Sequence, residues 1–339
     1  MKNKNLLQKK KIFLSAGAIL AIALFCFALS LLGDMFGIKM KKEVLVSVPQ
    51  GAGIREVSRI LKEEKIIRFP FAFRFSAKKG DYVIQQGGHK LNRSMSYKEI
   101  MKKLCLPSEI GSESICKVLI PEGYELSDIA KALEKEGLCS KEEFLKEAEK
   151  GSFDYEFLKD IKRDENRLEG YLFPATYEIQ RGESAHSIID KMLDAFSKKI
   201  VPIYKGAQTD YSLDEIITLA SIIEREAAND SERPVISSVF YNRMEKDMTL
   251  SSCATVQYVL KERKKVLSVS DTKIKSPYNT YRIKGLPPGP IASPGEASVK
   301  AALYPEKTDY LYFAAKPDGS GSVFSKNGEE HMQNAEKLK

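Results

Sequence analysis

Glu224 places a carboxylate on the apolar side of a helix that the residue pattern predicts over 212–228, SLDEIITLASIIEREAA. At about 100° per residue, Leu213, Ile216, Ile217, Ala220, Ile223 and Ala227 share one broad face, and Glu224 projects between Leu213 and Ile217. Glu215 and Glu226 project away from that stripe and fit a solvated face. A carboxyl group buried without a cationic partner favours its protonated form, the form a general acid needs near neutral pH. A buried glutamate paired with an arginine, tying two segments together, would occupy the same place. Helix geometry alone therefore leaves acid catalysis and a structural ion pair both open.

The surrounding pattern supplies the elements that must hold such a residue. Residues 46–67 (VSVPQGAGIREVSRILKEEKII) align with 118–139 (VLIPEGYELSDIAKALEKEGLC) at a constant offset of 72, matching Pro49 to Pro121, Gly51 to Gly123 and Leu61 to Leu133. Each copy reads as a short strand, a Pro-x-Gly turn and an amphipathic helix. The first copy continues to a helix at Tyr97–Leu104 and the second to one at Lys141–Lys150. Beyond 165 the pattern predicts helices at Ser231–Asp247 and Ala254–Arg263. It also predicts a stiff, proline-rich loop over Ser276–Pro294 and a hairpin of Leu311–Ala314 with Ser322–Ser325. The expected fold class is α+β, with an N-terminal transmembrane helix, two small LysM-like modules (44–106 and 115–160) and a mixed α+β catalytic domain (165–339).

Charge and hydropathy locate the chain. The formal net charge is +8, but residues 1–42 carry eight lysines against Asp34, and the remaining 46 basic and 45 acidic residues nearly cancel. That balance disfavours a nucleic-acid partner. The basic segment flanks an uncharged run over 12–33, long enough to cross a bilayer. Lys9, Lys10 and Lys11 put residues 1–11 in the cytoplasm, with 34–43 as a linker and the rest outside the plasma membrane. The run is too long for a signal peptide and lacks a clean cleavage site. Five scattered cysteines and three isolated histidines form no metal or Ser-His signature, so neither metal nor cofactor is expected. A Cys105–Cys116 disulfide stays open.

Five stretches coincide in order: LEGYLFPATYEI (168–179), ASIIEREA (220–227), VFYNRM (239–244), TVQYVL (255–260) and YNTYRIKGLPPGPIASPG (278–295). Together they resemble the endolytic murein transglycosylase family (MltG, YceG-like), membrane-anchored enzymes that cut peptidoglycan glycan strands. The resemblance implies that Glu224 is the catalytic acid and that penicillin-binding proteins are partners. It departs from the family at Ala175 and Cys253, where aspartate is common.

The implied reaction needs one carboxyl group. Glu224 would protonate the oxygen between N-acetylmuramic acid and N-acetylglucosamine, then deprotonate the muramoyl C6 hydroxyl as it closes on C1 to a 1,6-anhydro end. Hydrolytic glycosidases use two carboxylates instead. Tyr171, Tyr177, Asn242, Gln257, Tyr278, Asn279 and Tyr281 are the expected sugar-lining residues, since these types stack on sugar faces or hydrogen-bond to hydroxyl and acetamido groups. Glu169 is expected in a structural ion pair with Arg167 or Arg243. The competing reading is a non-catalytic peptidoglycan-binding scaffold, inactive through its departures at Ala175 and Cys253.

Overall fold

The computed structural model describes residues 25–36, 43–49, 52–78, 82–107, 115–163, 165–264 and 266–338. The fold is mixed α+β, with helices around three two-stranded sheets among the described residues. Two compact units emerge, the first reaching to Ile115 and adding 180–187, the second comprising 116–179 and 188–339.

In the first unit, strand β1 (Glu43–Val48) pairs antiparallel with β2 (Gly87–Asn92). Helices α1 (Ile54–Glu63) and α2 (Pro70–Ala77) lie between them in sequence, and α3 (Tyr97–Leu104) follows. Ser96 and Glu99 start α3 with a reciprocal capping box, each satisfying a backbone N–H of the other. Val46, Val57, Leu61, Phe73, Leu91 and Ile100 make the core. Residues 25–36 are helical, and Asp34, assigned to a linker by sequence, is buried near the end of that helix. Its carboxylate accepts from the Tyr97 hydroxyl at 2.6 Å and from the N–H groups of Arg68 (2.7 Å) and Phe69 (3.1 Å). Among the described residues no helix is long and apolar enough to cross a membrane. Most of the expected span, 12–24, lies outside the described residues.

The offset of 72 extends to the elements themselves. Strand β3 (Ile115–Leu119) and helix α4 (Leu126–Lys135) stand to β1 and α1 as the sequence alignment requires, followed by α5 (Lys141–Lys150). The partner of β3 is β4 (Thr176–Gln180), reached only after 151–175, and α6 (Ala185–Lys199) comes next. Both copies therefore run strand, helix, helix, strand, helix. Apart from Ile115 and residues 180–187, the second copy belongs to the same unit as the C-terminal stretch.

Within that unit α7 (Val201–Lys205) leads to α8 (Leu213–Glu226), whose capping box joins Ser212 and Glu215. Its middle is buried on all sides, from Ile216 to Ile223. Around it lie α9 (Arg233–Glu245), α10 (Cys253–Leu260) and α11 (Glu296–Leu303). Strands β5 (Tyr312–Ala315) and β6 (Ser322–Ser325) form the expected hairpin, and α12 (Gly328–Lys337) packs on it. The sequence reading did not foresee α6, α11 or α12. All five cysteines are free thiols, Cys105 and Cys116 included.

Candidate functional site

Glu224 sits in the last turn of α8 with its side chain only 6% exposed. Of the two arrangements that helix geometry left open, burial without a cation and pairing with an arginine, the structure has the second. Arg233, at the first position of α9, donates from Nη2 to Glu224 Oε1 at 2.9 Å. The other oxygen, Oε2, accepts from Gly295 N at 3.0 Å and Ser298 Oγ at 2.8 Å. Gly295 is the N-cap of α11, so the carboxylate also lies at the positive end of that helix. Arg233 is itself buried and uses all three of its side-chain nitrogens: Nε also donates to Ser298 Oγ at 2.8 Å and Nη1 to Asp230 at 2.7 Å. Three donors on one buried carboxylate form a rigid, charge-assisted cluster.

A second carboxylate reaches this cluster from the Pro-x-Gly turn of the second repeat. Glu122 Oε2 lies 3.9 Å from Arg233 Nη2, and its side chain is half exposed. Burial, followed by the Glu224 charge, raises its carboxyl pKa above the ordinary range, while Arg233 opposes the shift. The turn is held by paired backbone bonds, Gly123 N to Ser293 O and Ser293 N to Tyr124 O, both 2.8 Å. Gly123 adopts φ +75°, which favours glycine, and its Cα packs toward the side chains of Arg225 and Glu224.

Glu226 does not occupy a solvated face. It accepts from Ser252 Oγ (2.5 Å) and Ala254 N (3.3 Å), tying the end of α8 to the start of α10, and burial raises its pKa. Glu215 is exposed, as expected, in its capping box. Glu169 forms no ion pair with Arg167 or Arg243. Arg243 instead donates to the carbonyls of Leu311, Thr249 and Leu250. Buried Glu169 accepts from Leu126 N at 3.0 Å and the Tyr258 hydroxyl at 3.4 Å. Burial and the nearby Glu125 charge push its pKa up to about 8.

Such a group binds a proton in the folded chain that the unfolded chain releases above its ordinary carboxyl pKa. Its contribution to stability is thus full at low pH and is lost as pH rises toward 8. Glu169→Gln should remove this loss, raising stability by a few kcal/mol at pH 8 and leaving it little changed at pH 4.5. Denaturant midpoints at the two pH values check this.

None of the seven expected lining residues hydrogen-bonds to the Glu224 carboxylate, and all but Tyr278 have polar atoms engaged internally. Tyr171 is core, its hydroxyl on Asp214 at 2.7 Å, and the buried Tyr177 hydroxyl donates to Phe173 O. Asn242 donates to the carbonyls of Thr308 and Tyr310, and Gln257 to that of Lys264. Asn279 is fully buried and pins its own loop through Thr272 O, Ile274 O and Tyr281 N. Tyr278 and Tyr281 stay half buried, Tyr278 against the Tyr258 ring and Tyr281 with its hydroxyl 3.1 Å from Cys253 Sγ.

Sequence reasoning missed Arg233, Gly295, Ser298 and Glu122. The one available signal was the repeat itself, where Glu122 stands against Gln50 in the first copy. A hollow of about 620 Å³ borders the cluster at Asp230, Pro234 and Ala297, though Glu224 and Glu122 do not line it.

Known proteins share this arrangement of sequence. The chain is 35% identical over 310 residues to an endolytic murein transglycosylase of Bacillus subtilis, covering 88% of this chain and 85% of that protein. It is 32% identical over 320 residues to an endolytic murein transglycosylase of Streptococcus pneumoniae, covering 87% of this chain and 58% of the relative. The crystal structure of a YceG-like protein from Listeria monocytogenes matches with a TM-score of 0.57 at 36% identity, over 87% of this chain and all of the other. The model of the YceG-like family matches residues 46–337, and the chain belongs to that family.

Proposed function

We propose that this chain is an endolytic murein transglycosylase, a lyase that cleaves peptidoglycan glycan strands internally and leaves 1,6-anhydromuramoyl ends. The observation that carries this reading is the placement of Glu224, the first glutamate of ASIIEREA, in a buried cluster assembled from four separate segments. Such assembly fixes a carboxyl group in one position, as acid-base catalysis requires. Glu224 is the catalytic carboxyl. Half-buried Tyr278 and Tyr281 suit sugar stacking, whereas the other five expected residues hold the surrounding loops in shape.

The reading places the enzyme at the plasma membrane, with the uncharged run over 12–33 as a single-pass anchor and the catalytic unit outside. Exposed Phe25, Phe27, Leu29 and Leu32 on the described part of that region support the anchor. The two strand-helix-helix-strand copies are LysM-like, and glycan-polymerising penicillin-binding proteins are the partners that a terminator of strand growth would serve. A scaffold without activity is the second reading, favoured by the three internal donors on the Glu224 oxygens.

Incubating the full chain in detergent with purified sacculi and reading the products by mass spectrometry tests both. Anhydro-ended muropeptides are expected. Reducing ends would indicate a hydrolase, and no products a scaffold.

A further inference from the structure

The second repeat brings more to the site than a spacer would. Its turn aims Glu122 at Arg233, the cation that holds Glu224, and the two carboxylates share nitrogen Nη2 at 3.9 and 2.9 Å. The loop opposite is shaped to receive it: a Cβ at Gly295 would fall on the Glu122 carboxyl, although Gly295 has an ordinary backbone conformation that any residue can adopt. Glycine is required there for the carboxylate's space. The two groups also differ in access, since half of the Glu122 side chain is exposed and almost none of Glu224 is.

We propose that Glu122 is a second carboxyl group of the reaction centre, paired with Glu224 across Arg233 and presented to the glycan as the outward member of the pair. The proposal rests on the transglycosylase reading and deepens it. Two carboxylates around one guanidinium leave an excess negative charge, and the Glu224 charge favours a proton on Glu122. The other charged groups facing Glu122 are Asp230, largely exposed and paired to Arg233, and Glu296, which is offset by Lys199 (3.5 Å) and Lys300 (3.6 Å). The raised pKa of Glu122 agrees with this arrangement.

In the reaction the pair's proton goes to the glycosidic oxygen as the bond from the muramoyl C1 breaks and its electrons leave with that oxygen. The C6 hydroxyl oxygen bonds to C1, and its proton returns to the pair. The pair ends as it began, with no water consumed. Division of the work between two carboxyls explains how a site whose inner member is buried and held by three donors still exchanges protons with substrate.

The test measures kcat, KM and the pH profile of the full chain in detergent on a defined glycan. Glu122→Gln should lower kcat about 100-fold with little change in KM and remove one limb of the profile, and Glu122→Asp should recover part of the rate. Gly295→Ala, which pushes a flexible side chain aside rather than straining backbone, should give a similar loss and carries the kinetic test if Glu122→Gln fails to fold. By side-chain carbon NMR, Glu122 should titrate at lower pH in Glu224→Gln than in the parent. A Glu122→Gln enzyme with parental rate and profile, or an unmoved Glu122 titration, overturns the proposal. An inactive parent chain would instead sink the transglycosylase reading.

Discussion

Glutamine at position 224 should lower anhydro-muropeptide formation by about 1,000-fold while the chain stays folded. The substitution keeps size and shape but removes the ionisable group, so any chemistry that passes a proton through this carboxyl is lost. The structural cost follows from the donors around it. The carboxylate now offers one oxygen to Arg233 Nη2 and the other to Gly295 N and Ser298 Oγ. An amide has a single oxygen, so either the guanidinium or the Gly295 N–H must face an NH₂ group. One buried donor is left unsatisfied, at a cost of about 1–3 kcal/mol. The expected pattern is thus a small drop in unfolding midpoint beside a large drop in rate. Equal products from the variant and the parent would remove Glu224 from the mechanism.

How far the sequence reaches depends on the distance over which each feature is encoded. Capping boxes at Ser96–Glu99 and Ser212–Glu215 act within one turn, and α3 and α8 begin where those residues require. The Pro-x-Gly repeat is equally local within each copy, and its offset passes unchanged into β3 and α4. By contrast α11 was not anticipated: EASVKAAL is small-residue sequence with a weak apolar stripe, buried because α8 packs on it.

The cluster around Glu224 depends on contacts that no periodicity records, since Ser298 is 74 residues away. Chemical type does not by itself separate sugar-lining residues from residues that hold loops, for a related reason. The proline-rich loop over 276–294 lies beside backbone groups that no regular ladder satisfies, and its Asn279 and Thr280 partner them: Asn279 donates to Thr272 O and Ile274 O, and Thr280 Oγ1 accepts from Ser252 N. Polar types suited to hydroxyl groups of a sugar are equally suited to orphan carbonyls.

Arg233→Met should be the most destabilising change in the site, costing about 3–5 kcal/mol. Methionine fills much of the same volume, so the loss isolates the charge. Glu224 would keep Gly295 N and Ser298 Oγ but lose its cation, leaving a buried carboxylate uncompensated, and Ser298 would lose the Arg233 Nε donor as well. Lysine cannot replace it, because a single ammonium cannot match the separate guanidinium contacts with Glu224, Ser298 and Asp230. The double variant Glu224→Gln with Arg233→Met separates pairing from packing. Once residue 224 is neutral, removing the guanidinium leaves only the more exposed Glu122 and Asp230 unpaired and strands no fully buried charge, so the two losses should fall short of additivity by about 1–3 kcal/mol. Strict additivity in denaturant unfolding would mean that the arginine holds α9 in place by packing alone. Sub-additive stability with activity absent from all three variants would mean that the ion pair serves the fold and the chemistry together.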